Sequence, residues 1–394
     1  MSESGGATGI TDRIRSAAAP HVGDELVPGL VALVADAGDV HVEALGTLAV
    51  GGRPVVRDSL FRIASITKPI IAAATLALMQ EGRFGLDDPV DALLPELAGR
   101  RVLRRMDGPL DDTVPAHRAI TVRDLLTFTL GFGLTMEMFT APEPWPVVAA
   151  ANALDLGTLG PPPPDRDHQP DPDTWIARLG TLPLLAQPGE RWLYNTGASV
   201  LGVLLARAAG AALPDVLRTR LFEPLGMADT GFWAPDPTRL ATAYRHRPHG
   251  LEVWDEPDGS YSRPPAFGDG AAGLVSCADD LLRFSEMLLG RSDAEVLSPA
   301  SRQAMTSDQL TAAQKAHGAL VPGFFDDRSW GFGLAVHSDG AFGWTGGFGS
   351  SWLVDPGRDL VVIVLSQRMF GSPGTPPLHR EVQAAAGAPS SSQA

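Results

Sequence analysis

The sequence predicts an α/β (α+β) fold in which a sheet-bearing domain is completed by both ends of the chain and a mainly helical domain is inserted between them. Three observations carry this. Residues 29–45 read as a β-hairpin, residues 330–365 return to strand-type sequence, and most of the chain between them has helical apolar spacing. At 394 residues the chain is long enough for a single unit with a substantial core. The expected division puts residues 10–60 and 280–385 in the α/β part and 61–279 in the mainly helical part of one unit spanning 1–394.

Each element has its own signal. Residues 10–22 suit a first helix, and the apolar run 29–36, an Ala-Gly-Asp turn and residues 40–45 make the hairpin. Residues 69–80 are helical in propensity and apolar on nearly all sides, so a buried helix is expected, closing near Gly82. Pro69 lacks an N–H and is tolerated only in a first turn, which sets the helix start at or near Ser65. Thr121-Val-Arg-Asp124 has the form of a capping box, and residues 198–209 and 214–222 carry helical spacing. Residues 133–175 are rich in Pro and Asp, with prolines at each of 161–164, and read as an irregular segment that serves either as a lid or as a solvated connection. After a helix over about 279–289, strands are expected at 330–336, 341–345, 350–354 and 360–365, and a last helix at 376–385.

Composition narrows the function. With 44% hydrophobic and 20% charged residues the protein is expected to be soluble and globular. A net charge of −15 argues against nucleic acid or an anionic membrane surface as partner, since both call for clustered Lys and Arg. The first residues show no basic n-region or apolar h-region, and no run approaches the roughly 20 apolar residues of a membrane span. A single cysteine, Cys277, excludes an internal disulfide and reads as a packed small residue. The expectation is a cytoplasmic protein with no cofactor or metal, acting on a small molecule, with its oligomeric state open.

Only two of its 31 basic residues are lysines. One of them, Lys68, stands three residues after Ser65. A lysine can lose its proton when desolvated, which an arginine cannot. At the start of a buried helix Ser65 and Lys68 share a face, so amine and hydroxyl meet; taken alone, the spacing equally suits a lysine left by drift. Tyr194, one of three tyrosines, lies in Pro188-Gly-Glu-Arg-Trp-Leu-Tyr-Asn-Thr-Gly197 just before a helix, where a phenol can share protons with Lys68 or simply anchor a turn. In Phe342-Gly-Trp-Thr-Gly-Gly-Phe-Gly349, glycines 346 and 347 let backbone N–H groups approach a ligand, as an oxyanion hole requires; a Gly-rich turn explains them as well.

Together and in this order, Ser65-Ile-Thr-Lys68, Tyr194-Asn195-Thr196 and Trp344-Thr345-Gly346 resemble the motifs of the serine β-lactamase-like superfamily: class C β-lactamases, D-alanyl-D-alanine carboxypeptidases and, nearest in type, family VIII carboxylesterases. The resemblance runs from the hairpin at 29 to the strand at 365, and Leu125-Leu-Thr-Phe-Thr-Leu-Gly131 and Gly273-Leu-Val-Ser-Cys-Ala-Asp-Asp280 share it. It implies an antiparallel sheet flanked by N- and C-terminal helices with an inserted helical domain. It also implies a catalytic set of Ser65, Lys68 and Tyr194, an oxyanion hole from the N–H groups of Ser65 and Gly347, and substrate contacts from Asn195, Thr196, Trp344, Thr345 and Gly346.

Two departures shape the expected substrate. Thr196 stands where the family has Asn or Ser, and Trp344 where β-lactamases have a lysine. A cation there would meet a substrate carboxylate with a charge-assisted hydrogen bond of about 1.5–3 kcal/mol. Without it a small neutral ester is favoured over a penicillin. The expected enzyme is a serine hydrolase working through an acyl-enzyme, with either Lys68 or Tyr194 as base. Its rivals are an acyltransferase, or an amidase, β-lactamase or D-peptidase, on the same site, and a non-catalytic ligand-binding homologue, against which the intact Ser-Lys-Tyr set argues. Gly268-Asp-Gly270-Ala-Ala-Gly273 fits a dinucleotide fingerprint but follows no apolar strand, and no Gly-x-Ser-x-Gly elbow occurs. His246 and His249 read as solvated loop residues.

Overall fold

The computed structural model describes residues 5–388 apart from 160–165, 167, 168 and 235. Strands β1 (Gly29–Asp36) and β2 (Asp39–Gly46) form the expected hairpin. β3 (Arg328–Trp330), β4 (Ala335–His337), β5 (Phe342–Gly346), β6 (Ser350–Asp355) and β7 (Leu360–Ser366) follow near the C-terminus. They make one antiparallel sheet in the order β2-β1-β7-β6-β5-β4-β3, in which strands from the two ends of the chain pair inside the sheet, Leu33 opposite Ile363.

Both faces of the sheet are covered, which is why β1 and β7 read as continuous apolar runs. Successive side chains alternate. Leu30, Ala32, Val34, Val362 and Val364 pack under helices α1 (Gly5–Ala18) and α5 (Pro377–Ala385), with Ile14, Leu378 and Val382 as their partners. Val31, Leu33, Ile363 and Leu365 face the other way, into a larger core shared with α2 (Thr67–Gln80), α3 (Thr196–Ala209) and α4 (Ala278–Leu289). Each fully buried Leu, Ile or Val there contributes about 1.5–3 kcal/mol. Helix α2 lies inside that core, and residues 67–78 are all buried. The capping box forms on Thr121 and Asp124. Among the described residues, no single helix is long and apolar enough to cross a membrane.

Two expectations are corrected. Residues 330–336 are not one strand but the turn of a hairpin, with Trp330 paired to Ala335 across it. Gly333 adopts φ +71° and a Cβ on it would lie 2.8 Å from the Lys68 carbonyl oxygen, so the two glycines fold an aromatic run back onto the start of α2. The segment 133–175 holds three helices, Met136–Thr140, Pro146–Ala153 and Pro172–Thr181, with Trp175 buried. Pro146 and Pro172 each occupy a first helical position, where a missing N–H costs nothing, so proline marks helix starts here. The proline run 161–164 lies outside the described residues. His246 is placed in a two-stranded hairpin, Ala243–Arg247 with Gly250–Asp255, and is exposed.

Candidate active site

Three segments converge at β5 of the sheet. The first is the turn that enters α2. Phe61–Arg62 pairs with Val275–Ser276, then a tight turn over Ala64–Ile66 delivers Ser65 to the helix start. Ala64 has φ +44°, a left-handed conformation that strains a residue with a Cβ. Its neighbours hold it there. Ser350 Oγ donates to the Ile63 carbonyl (2.9 Å), and β5 lies so close that a Cβ on Gly346 would be 2.1 Å from the same oxygen.

The second segment carries Tyr194. Its backbone exchanges two 2.8 Å hydrogen bonds with Leu134, and Thr196 N–H donates to Tyr194 O across Asn195 at φ +87°, ψ −64°, a strained γ-turn. The ring sits among Phe128, Trp192, Trp330 and Trp344, with centroids 5.6–6.2 Å away. The third segment is the end of β5, which supplies Trp344.

Lys68 Nζ donates to Ser65 Oγ at 2.8 Å and to the Ala271 carbonyl at 2.8 Å, and lies 4.5 Å from the centre of the Tyr194 ring. Trp344 Nε1–H donates to Tyr194 OH at 2.7 Å, and that phenol also shares a hydrogen bond with Ser65. Burial dominates both titrations. It brings Lys68 down from 10.5 to about 7, against the opposing pull of the Asp269 carboxylate. It pushes Tyr194 well above the usual phenol value, more strongly than the bonds from Ser65 and Trp344 lower it. Near neutral pH the site therefore holds a protonated phenol beside an amine that sheds its proton far more readily than an exposed lysine.

Ser65 and Tyr194 open into a pocket of about 530 Å³ whose apolar lining includes Leu134, Phe139, Leu320, Val321, Phe324 and Phe348. Trp344, Thr345 and Gly347 line it too. A Cβ on Gly347 would meet nothing, so its backbone is open to a ligand. Cations also line the pocket: Arg328, bonded to Asp327 at 2.9 Å, and Arg380, which donates to the Thr375 carbonyl. Beside the Ser65–Tyr194 pair stands the neutral indole.

Of the residues named from sequence, Ser65, Lys68, Tyr194, Trp344, Thr345 and Gly347 come together. Asn195 and Thr196 are not among the residues that line the pocket, and their side chains bond elsewhere. The γ-turn sends Asn195 Nδ2 to the Thr158 carbonyl (3.2 Å) and buries Thr196 Oγ1 against Thr158 Oγ1 (2.7 Å). Gly346 is also a packing residue, made necessary by Ile63, rather than a pocket wall. Sequence reasoning missed Ala271 and Asp269, which sit in the 268–273 glycine pattern. A usable signal was present there: Gly270 packs so tightly on α3 that a Cβ would fall 2.3 Å from the Ala198 oxygen.

Residues 14–386 match the model of the Beta-lactamase family. The chain belongs to that family. It is 39% identical over 334 residues to Protein Rv1367c of Mycobacterium tuberculosis (strain ATCC 25618 / H37Rv), covering 80% of this chain and 79% of that protein. It is 31% identical over 373 residues to Esterase EstB of Burkholderia gladioli, covering 87% and 86%. Among solved structures it is similar to EstCE1, a hydrolase with promiscuous acyltransferase activity, with a TM-score of 0.78 and 26% identity, covering 96% of this chain and 99% of that one. This member of the beta-lactamase family is thus an enzyme of the serine hydrolase type, near the family VIII esterases.

Proposed function

We propose that the enzyme is a carboxylesterase that cleaves small neutral esters through an acyl-enzyme on Ser65. One observation carries this reading: a buried amine with a pKa of about 7 stands 2.8 Å from Ser65 Oγ, at the edge of an apolar pocket where Trp344 takes the place of a cation.

Free of its proton, Lys68 accepts the Ser65 O–H. Ser65 Oγ bonds to the ester carbonyl carbon, the proton passes to Lys68 Nζ, and the oxyanion is met by the N–H groups of Ser65 and Gly347. Collapse breaks the bond to the alcohol oxygen, which takes a proton back. In this reading Tyr194, a phenol whose oxygen accepts the Trp344 N–H and is bonded to Ser65, passes that proton on and is reprotonated by the Lys68 ammonium. Water repeats the sequence and releases the acid. The choice of Lys68 over Tyr194 as base follows from their opposite displacements by burial.

Intact mass after incubation with a fluorophosphonate, and the burst with p-nitrophenyl butyrate, test the reading. A single adduct that vanishes in Ser65→Ala, with a burst of one alcohol per active site, is expected; no adduct and no burst would remove every catalytic reading and leave ligand binding. A second reading, acyl transfer, draws support from the likeness to EstCE1 and from the apolar pocket, which favours an organic acceptor over water. Product partition with added alcohols or amines separates the two. Strict hydrolysis at high acceptor concentration excludes transfer.

A further inference from the structure

Lys68 has one hydrogen bond to its nucleophile and one to the protein, and the second ends on a loop that is itself held by a carboxylate. Asp269 Oδ1 accepts from the Ala271 N–H at 2.9 Å and from Ser199 Oγ on α3 at 2.7 Å. The Asp269 carbonyl accepts from Gly273 N–H at 2.9 Å, so both ends of the residue close the same tight loop. Gly270 is pressed against α3, as above, and Ser199 is buried. The Ala271 carbonyl at the head of this loop receives Lys68 Nζ at 2.8 Å. The helix that anchors the loop is also the one that follows Tyr194, so one element sets the positions of both proton-handling side chains.

We propose that Asp269 is a positioning residue for Lys68: it clamps the 269–273 loop to α3 through Ser199 and thereby aims the Ala271 carbonyl, and the amine bonded to it, at Ser65. The inference rests on the reading of Lys68 as the acylation base. Two separable effects follow. The clamp fixes where the amine is. The carboxylate, the charged group that faces Lys68 in a site whose other titratable member is the Tyr194 phenol, supports the ammonium and so keeps the amine from losing its proton-accepting strength.

The scarcity of lysine makes both effects measurable in the whole enzyme. With carbon-13 at the lysine ε position only Lys68 and Lys315 give signals, and Lys315→Arg assigns them. The expected midpoint for Lys68 is about 7 in the wild type. It falls by about one unit in Asp269→Asn, which keeps the side-chain shape and removes the charge. In Ser199→Ala the midpoint stays put while fluorophosphonate acylation slows by about tenfold, because the loop is no longer clamped. Asp269→Glu, with its charge retained on a longer stem, restores the midpoint but not the acylation rate. An unmoved midpoint in Asp269→Asn, or wild-type acylation in Ser199→Ala, overturns the proposal. A wild-type Lys68 that titrates near 10 overturns instead the assignment of Lys68 as base, and the effect of Asp269 is still read on the same signal.

Discussion

The burial that makes Lys68 useful also makes it costly. Its pKa of about 7 in the folded state lies below the roughly 10.4 of a free lysine. Between those values the unfolded chain holds a proton that the native site has shed, so stability rises with pH by up to about 1.4 kcal/mol per unit through that window. Below it the charge is buried and the penalty is complete. Lys68→Met is therefore expected to raise the melting temperature at pH 7, with an advantage that shrinks toward pH 10; an equal gain at both pH values would show that the amine is not held as described. Trp344 bears on specificity. Trp344→Lys is expected to raise kcat/KM for a carboxylate-bearing β-lactam relative to p-nitrophenyl butyrate by about tenfold or more. An unchanged ratio would end the argument from the neutral indole. Ser65, Lys68 and Tyr194 were legible in the sequence because helix spacing and the order of motifs place them. Asp269 was not, because Lys68 and Ala271 lie 203 positions apart, and the glycines of 268–273 signal close packing without naming the partner. The indole N–H of Trp344 on Tyr194 was hidden for the same reason.

Among the elements, β5 is the one on which the site is most exacting. Its Gly346 touches the Ile63 carbonyl that anchors the strained Ala64, and its Trp344 fixes Tyr194. Gly346→Ala would drive β5 away from the nucleophile turn, at an expected cost of about 1–3 kcal/mol in denaturant unfolding and a much larger fractional loss of acylation. If activity and stability fell only in proportion, the strand would not be positioning the turn. Sequence periodicity recovered β1, β2, β6, β7 and helices α2 to α5 within a residue or two, but set the first helix at 10–22 where it spans Gly5–Ala18. It failed at 330–336 and 133–175. There Gly and Pro serve particular backbone geometries, a left-handed turn on α2 and two helix starts, that composition reads only as an irregular segment or as strand.

For the whole molecule the decisive fact is that β1 and β7 lie side by side as interior strands of the sheet, each paired on both edges. Their backbone bonds, covered on both faces, should open only with global unfolding. Hydrogen exchange is thus expected to find the amides of 30–34 and 361–365 slowest and matched in rate, with the helices Met136–Thr140 and Pro146–Ala153 exchanging earlier. Faster exchange in β7 than in β2 would contradict that order.

The same pairing sets a timetable for the newborn chain. At ribosomal speeds β7 is synthesised on the order of tens of seconds after β1. Throughout that wait the hairpin β1–β2 has an apolar edge and no partner, and β5 is not there to hold Ala64 and Tyr194. If Ser65 and Lys68 act as proposed, the nascent protein carries them without the strand that holds their turn, and reactivity is expected only once β5 has paired.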